Sequence, residues 1–166
     1  QSTTAIPTFI LPTLRVAFEQ CQGFVEHLRS TFEQRAEVIG NLYEGHYGGM
    51  NKSVIGAHAG GFNENTWAIS MLGNYQEEEP TDVMIKSVGE LAGWRAKVAG
   101  IDPLGKGTHT SEGTEFTFYP YGTKVELPNI FAHRDVGNTS CPGNAGYAKM
   151  GEIRDIAARY AKGGGG

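Results

Sequence analysis

The sequence predicts an α/β fold: a mixed central β-sheet flanked by about three helices. Two observations lead there. Apolar residues recur at steps of three and four along three stretches, near residues 14–39, 80–99 and 144–160. Between and around them lie about five short strand-like runs, some joined through the helices and some by turns. At 166 residues the chain is long enough for one sizeable core, so residues 1–162 read as a single domain. Gly163 to Gly166 carries no core-forming side chain and reads as a linker-like tail.

The elements follow in order. Thr8 to Thr13 is a short apolar run ended by Pro12 and reads as a strand. From Leu14 to Ile39 a helix is predicted, its stripe drawn by Phe18, Cys21, Val25, Leu28, Phe32, Ala36 and Ile39. Gly23 interrupts that stripe at a cost of about 1 kcal/mol against alanine, and Gly40 suits the position just past its end. Cys21 reads as a small buried apolar residue, and His27 as a helix-flank histidine. Asn41 to Glu44 and Ser53 to His58 read as strands, with the permissive Gly48-Gly49 pair between them. His58 then opens Ala-Gly-Gly-Phe-Asn, a tight loop before a strand from Trp67 to Leu72.

Glu77, Glu78 and Glu79 place negative charge ahead of a helix that Pro80 opens, where the helix dipole favours it. Met84, Val88, Leu91 and Val98 are its expected buried stripe, Trp94 lies at the margin, and Gly100 ends it. Lys106 to Tyr121 reads as a long loop with a strand-like Phe116 to Tyr119, and His109 within it as incidental. Thr123 to Phe131 is a strand interrupted by Pro128. The final helix follows the Pro142-Gly143-Asn144 turn, with Tyr147, Met150, Ile153, Ala157 and Tyr160 on its apolar face.

Composition narrows the function classes. A formal net charge of −4 with mixed signs gives no footprint for DNA or RNA. No apolar run approaches the roughly 18 residues of a membrane span. Gln1 to Ala5 reads as the start of a processed chain. The two cysteines allow one disulfide, Cys21 to Cys141, which competes with any metal role for Cys141.

The chemistry-bearing stretch is Phe131-Ala132-His133-Arg134-Asp135-Val136-Gly137-Asn138-Thr139-Ser140-Cys141-Pro142-Gly143. It places one histidine at a strand end and one cysteine in the following turn, so that both side chains can converge on a point. Imidazole and thiolate are ligands that zinc prefers. His-Arg-Asp also opens the protein-kinase catalytic loop, but the kinase lysine, phosphate loop and Asp-Phe-Gly are missing.

His-Arg-Asp-Val followed by Thr-x-Cys-Pro-Gly resembles the C-terminal zinc motif of peptidoglycan recognition proteins and type 2 N-acetylmuramoyl-L-alanine amidases. Further blocks support the likeness. They are Leu42-Tyr43-Glu44-Gly45, Val54-Ile55-Gly56-Ala57-His58-Ala59-Gly60-Gly61-Phe62-Asn63, Ala68-Ile69-Ser70-Met71-Leu72-Gly73-Asn74-Tyr75, Trp94-Arg95 and Gly100-Ile101-Asp102-Pro103. Order and spacing are similar to bacterial, especially actinobacterial, members over about residues 41–160, while residues 1–40 depart from the family.

The resemblance implies a secreted or cell-envelope domain whose partner is peptidoglycan, as muramyl peptide. It implies zinc on His133 and Cys141, Thr139 near the metal as a hydrogen-bond donor to the reacting carbonyl, and His58 and Asn63 in the substrate groove. It also exposes two gaps. Leu11-Pro12-Thr13 stands where the family carries two histidines and a threonine, and the family's catalytic tyrosine has no counterpart after the first helix. A third zinc ligand would have to come from His58, His27 or His46. Two functions therefore stand side by side. One is a zinc hydrolase of the MurNAc–L-alanine amide. The other is a non-catalytic peptidoglycan-binding module, or a cell-envelope structural subunit with a protein partner.

Overall fold

The computed structural model describes residues 8–12 and 55–163. Strand β1 (Thr8–Pro12) lies between two partners. Strand β2 (Thr66–Ser70) pairs with it antiparallel, from Thr8 opposite Ser70 to Pro12 opposite Thr66. Strand β5 (Phe131–Ala132) pairs on the other edge, also antiparallel, with Phe9 opposite Ala132 and Ile10 opposite Phe131. A separate hairpin joins β3 (Lys106–Thr110) to β4 (Lys124–Pro128). Among the described residues three helices complete an α/β arrangement: α1 (Asp82–Ala99), α2 (Asn144–Ala148) and α3 (Met150–Ala161).

Because side chains alternate along a strand, the three-stranded sheet separates two cores. Trp67, Ile69 and Met71 point to the helical side, where they pack with Ile85 and Val88 of α1 and Ile153 and Ala157 of α3. Phe131 points to the opposite side and packs with Ala59, Phe62, Leu127 and Val136 under loops and the hairpin. One face of the sheet is thus sealed by helices. The other is covered by chemistry-bearing loops.

Helix α1 begins and ends for local reasons. Thr81 has extended backbone angles, and its hydroxyl accepts from the Met84 N–H at 3.2 Å. Gly100 adopts φ 68 and ends the helix, and the Ile101 N–H reaches the Ala96 carbonyl at 2.8 Å. Pro80 therefore precedes the cap instead of opening the helix, since it is the Thr81 hydroxyl that satisfies a free N–H.

The buried stripe of α1 is rotated from the expected one. Ile85, Val88, Ala92 and Ala96 are buried, Met84 and Leu91 flank them, and Val98 is exposed. The cause is a close crossing with α3. A β-carbon on Gly93 would lie 2.5 Å from the Ala157 carbonyl oxygen, and one on Gly89 would lie 2.6 Å from Ile156 Cβ. Two glycines four residues apart on one helix face let the backbones approach, and that face turns inward.

Four other expectations change. The segment from Lys106 is not loop throughout, because Lys106–Thr110 forms β3 with Gly107 and His109 turned inward. Phe116 to Tyr119 is no strand; only Thr117 makes an isolated bridge, to Gly137. Residues 55–58 carry no strand, and Tyr147 is exposed, because α2 ends before Lys149 and the stripe of α3 starts afresh at Met150. The predicted Leu14 to Ile39 helix, the Asn41 to Glu44 strand, Cys21, His27, His46 and the Gly164 to Gly166 part of the tail lie outside the described residues.

Candidate functional site

The loop that leaves β5 folds back on itself. His133–Asp135 forms one turn of 3-10 helix, and the His133 carbonyl accepts from Val136 N at 3.2 Å and Gly137 N at 2.9 Å. Asp135 Oδ2 accepts from the buried Ala132 N–H at 2.8 Å, while its Oδ1 accepts from the Tyr147 hydroxyl at 2.8 Å. The Arg134 N–H then donates to the Cys141 carbonyl at 3.0 Å, which draws the cysteine turn alongside the histidine turn. Cys141 N donates to Thr139 Oγ1 at 3.1 Å. A hydroxyl that accepts in this way keeps its own proton for another acceptor.

The Arg134 side chain holds the loop from outside. Its guanidinium donates to the Ser140 carbonyl and to Asn144 Oδ1 at 3.1 Å, and lies 4.9 Å from the centre of the Tyr147 ring. The hydrogen bond to Asp135, followed by burial, raises the Tyr147 hydroxyl above the ordinary tyrosine pKa. His133 and Cys141 are thereby held in one loop by backbone and side-chain hydrogen bonds.

His58 and Asn63 belong to a second loop on the same side of the sheet. Asn63 Oδ1 accepts from the backbone N–H of His58 at 2.9 Å and of Ala59 at 3.0 Å, closing the Gly60-Gly61 turn. The Asn63 carbonyl oxygen is therefore committed to the loop, and its amide N–H groups are the part that can serve a ligand. His58 Nε2 lies 3.5 Å from Thr66 Oγ1, whose proton goes to the Phe62 carbonyl. The two ring nitrogens thus differ: Nε2 faces the Thr66 hydroxyl, and Nδ1 is buried with no hydrogen-bond partner among the described residues.

Burial pushes the His58 pKa down to about 4, and the nearby His133 adds to the fall. Burial also lowers His133. Both rings are neutral at pH 7, the form in which imidazole binds metals and accepts protons. His109, which the sequence left without a partner, faces the same core with its ring 5.6 Å from that of Phe131, and burial lowers its pKa. The alternation of Lys-Gly-Thr-His-Thr was the signal for its inward position, but apolar patterning was absent there.

Among the described residues, no three His, Cys, Asp or Glu side chains are grouped to hold a metal ion. A catalytic zinc needs three protein ligands and an open position, so the described residues alone do not fit one. The strand register adds a reason. His133 follows Ala132, whose partner is Phe9, so the start of β1 lies towards His133. The Leu11-Pro12 end runs away from it, beside Trp67 and Thr66.

Comparison with curated proteins and with solved structures gives no match. Residues 23–144 match the family model of N-acetylmuramoyl-L-alanine amidase, type 2. That span starts earlier than the resemblance expected at residue 41, and it closes just after Cys141-Pro142-Gly143. With most of its length inside that match, and its histidine and cysteine turns drawn together at the match's end, the chain belongs to the N-acetylmuramoyl-L-alanine amidase family.

Proposed function

We propose that this domain acts at the cell envelope on peptidoglycan, binding the muramyl peptide on the loop-covered face of the sheet. Family membership supplies the substrate class. The observation that carries the placement is the hydrogen bond from Arg134 N to the Cys141 carbonyl, which sets His133, Thr139 and Cys141 in one loop. On this reading the Thr139 hydroxyl and the Asn63 amide donate to carbonyl groups of the ligand, and His58 lines the groove beside Asn63. Secretion fits a peptidoglycan partner, and no described helix is long and apolar enough to cross a membrane.

Whether the amide is also cut depends on the metal. His133 and Cys141 would supply two ligands, and the third would come from outside the described residues, where His27 and His46 lie. A zinc ion so held would polarise the MurNAc–L-alanine carbonyl and bring its bound water to a pKa of about 7. The alternative, a binder that recognises peptidoglycan without cutting it or serves as an envelope interaction subunit, is supported by Leu11-Pro12-Thr13 standing where the family carries its histidines.

One experiment separates these readings: zinc content and muramyl-peptide cleavage for the full chain and for Cys141→Ser. About one zinc per chain, lost in Cys141→Ser together with cleavage, supports the hydrolase. Muramyl-peptide binding without zinc supports the binder. Neither zinc nor binding would remove both.

A further inference from the structure

Three large apolar side chains on one segment are mostly exposed: Phe116 is 63 % exposed, Phe118 56 % and Tyr121 84 %. Their segment is nevertheless firmly held. Thr117 bridges Gly137, and its hydroxyl donates to the Val136 carbonyl at 2.6 Å. Phe118 N donates to that same carbonyl at 3.2 Å, and Asn138 N to the Phe116 carbonyl at 3.3 Å. Tyr119 packs edge-on against Phe62 at 5.8 Å between ring centres. Inward Thr117 and Tyr119 thus alternate with outward Phe116 and Phe118. Rigid anchoring on one side and bare aromatic rings on the other describe a binding surface more than a core element.

Position says what the surface borders. A β-carbon on Gly137 would lie 3.0 Å from the Phe116 carbonyl oxygen and 3.2 Å from His133 Nε2. The aromatic segment therefore forms the wall of the His133 loop. On its other flank it meets the His58–Asn63 loop: Gly60 faces Phe116 Cβ, Gly61 faces Thr117, and Glu112 N donates to the Gly61 carbonyl at 2.9 Å. The segment therefore lies between the His133 loop and the His58–Asn63 loop, so a ligand that spans both loops borders it.

We propose that Phe116, Phe118 and Tyr121 form a stacking platform for the N-acetylated sugar strand of peptidoglycan, extending the muramyl-peptide site beyond the cut or bound unit. The inference rests on the peptidoglycan reading above and adds the glycan direction to it. A pyranose ring presents a face of C–H groups, weakly positive, which matches the negative face of an aromatic ring. Its hydroxyl groups stay in water at the rim. An anionic lipid surface is the poorer occupant, since the chain's formal net charge is −4.

The test compares the full chain with Phe116→Ala/Phe118→Ala/Tyr121→Ala and with Phe116→Trp/Phe118→Trp, using two probes: an N-acetylglucosamine tetramer and muramyl dipeptide. The alanine variant is expected to bind the tetramer about tenfold more weakly and the dipeptide unchanged, with the Trp variant restoring tetramer binding. Equal tetramer affinity in wild type and alanine variant overturns the platform while leaving the muramyl-peptide reading intact. Parallel loss of both probes also overturns it, because the rings would then only support the loop. Binding of neither probe by the wild type overturns the platform and the peptidoglycan reading together.

Discussion

The backbone N–H of Arg134 donates to the Cys141 carbonyl at 3.0 Å, so the residue after the candidate histidine ligand is bonded to the candidate cysteine ligand itself. Seven residues separate His133 from Cys141 in sequence, yet this contact closes them into one loop. Asp135 reinforces it from below and Tyr147 from the side.

Asp135→Ala should destabilise the fold by about 1–3 kcal/mol, because it strands the buried Ala132 N–H. Tyr147→Phe removes only a bond at an exposed phenol, so its cost should be smaller, about 0.5 kcal/mol. Urea unfolding of both variants checks the order. Equal costs would mean that the backbone bond of Asp135 does not anchor the loop.

The buried His58 predicts a pH dependence. Its folded pKa of about 4 lies below the ordinary histidine value of 6.5, so the unfolded state binds more protons between those values. Its contribution is fully present above pH 6.5 and is lost as pH falls towards about 4, an effect of about 3 kcal/mol. His109 and His133 shift in the same direction. His58→Gln should flatten the loss of stability between pH 6.5 and 4 in thermal melts; an unchanged slope would place His58 in water.

Gly93→Ala tests the helix crossing. Alanine gains about 1 kcal/mol in helix propensity, but its β-carbon would sit 2.5 Å from the Ala157 carbonyl oxygen and 2.9 Å from Ala157 Cα. Since those are backbone atoms of α3, the helices must separate, and a net loss of about 1–3 kcal/mol is expected. Gly151→Ala on the open side of α3 meets nothing within 4 Å and should stabilise by up to about 1 kcal/mol. Opposite signs for the two changes, read by denaturant midpoint, are the expected result.

Thr139→Val removes the acceptor for Cys141 N and the hydroxyl proton offered to a ligand carbonyl. Muramyl-peptide affinity should fall about tenfold, and Thr139→Ser should retain it. Titration calorimetry decides, and a valine variant that binds like wild type would confine Thr139 to holding the turn.

Local signals carried much of this protein. The three-and-four spacing marked α1 and α3, Gly100 marked an end, and Pro128 marked the break between β4 and β5. The His-Arg-Asp-Val and Thr-x-Cys-Pro-Gly strings pointed to the family by their resemblance to its zinc motif, and the family match over residues 23–144 agrees. Polar β3 was missed: Lys-Gly-Thr-His-Thr has no apolar alternation, and its inward positions are held by Gly107 and His109.

By itself the sequence determined what lies within a few residues: helix periods, caps, the histidine and cysteine turn, and the family to which they belong. Only the tertiary structure decided relations between distant segments. Packing of the His58–Asn63 loop over the sheet placed His58 beside Thr66 and near enough to His133 to lower its pKa. Close backbone contact at Gly89 and Gly93 chose the buried face of α1, and pairing of Thr117 with Gly137 set bare aromatic rings beside the His133 loop. The reason is physical. Periodicity records which face of an element is apolar, whereas which segment meets that face is fixed only when backbones pair and pack.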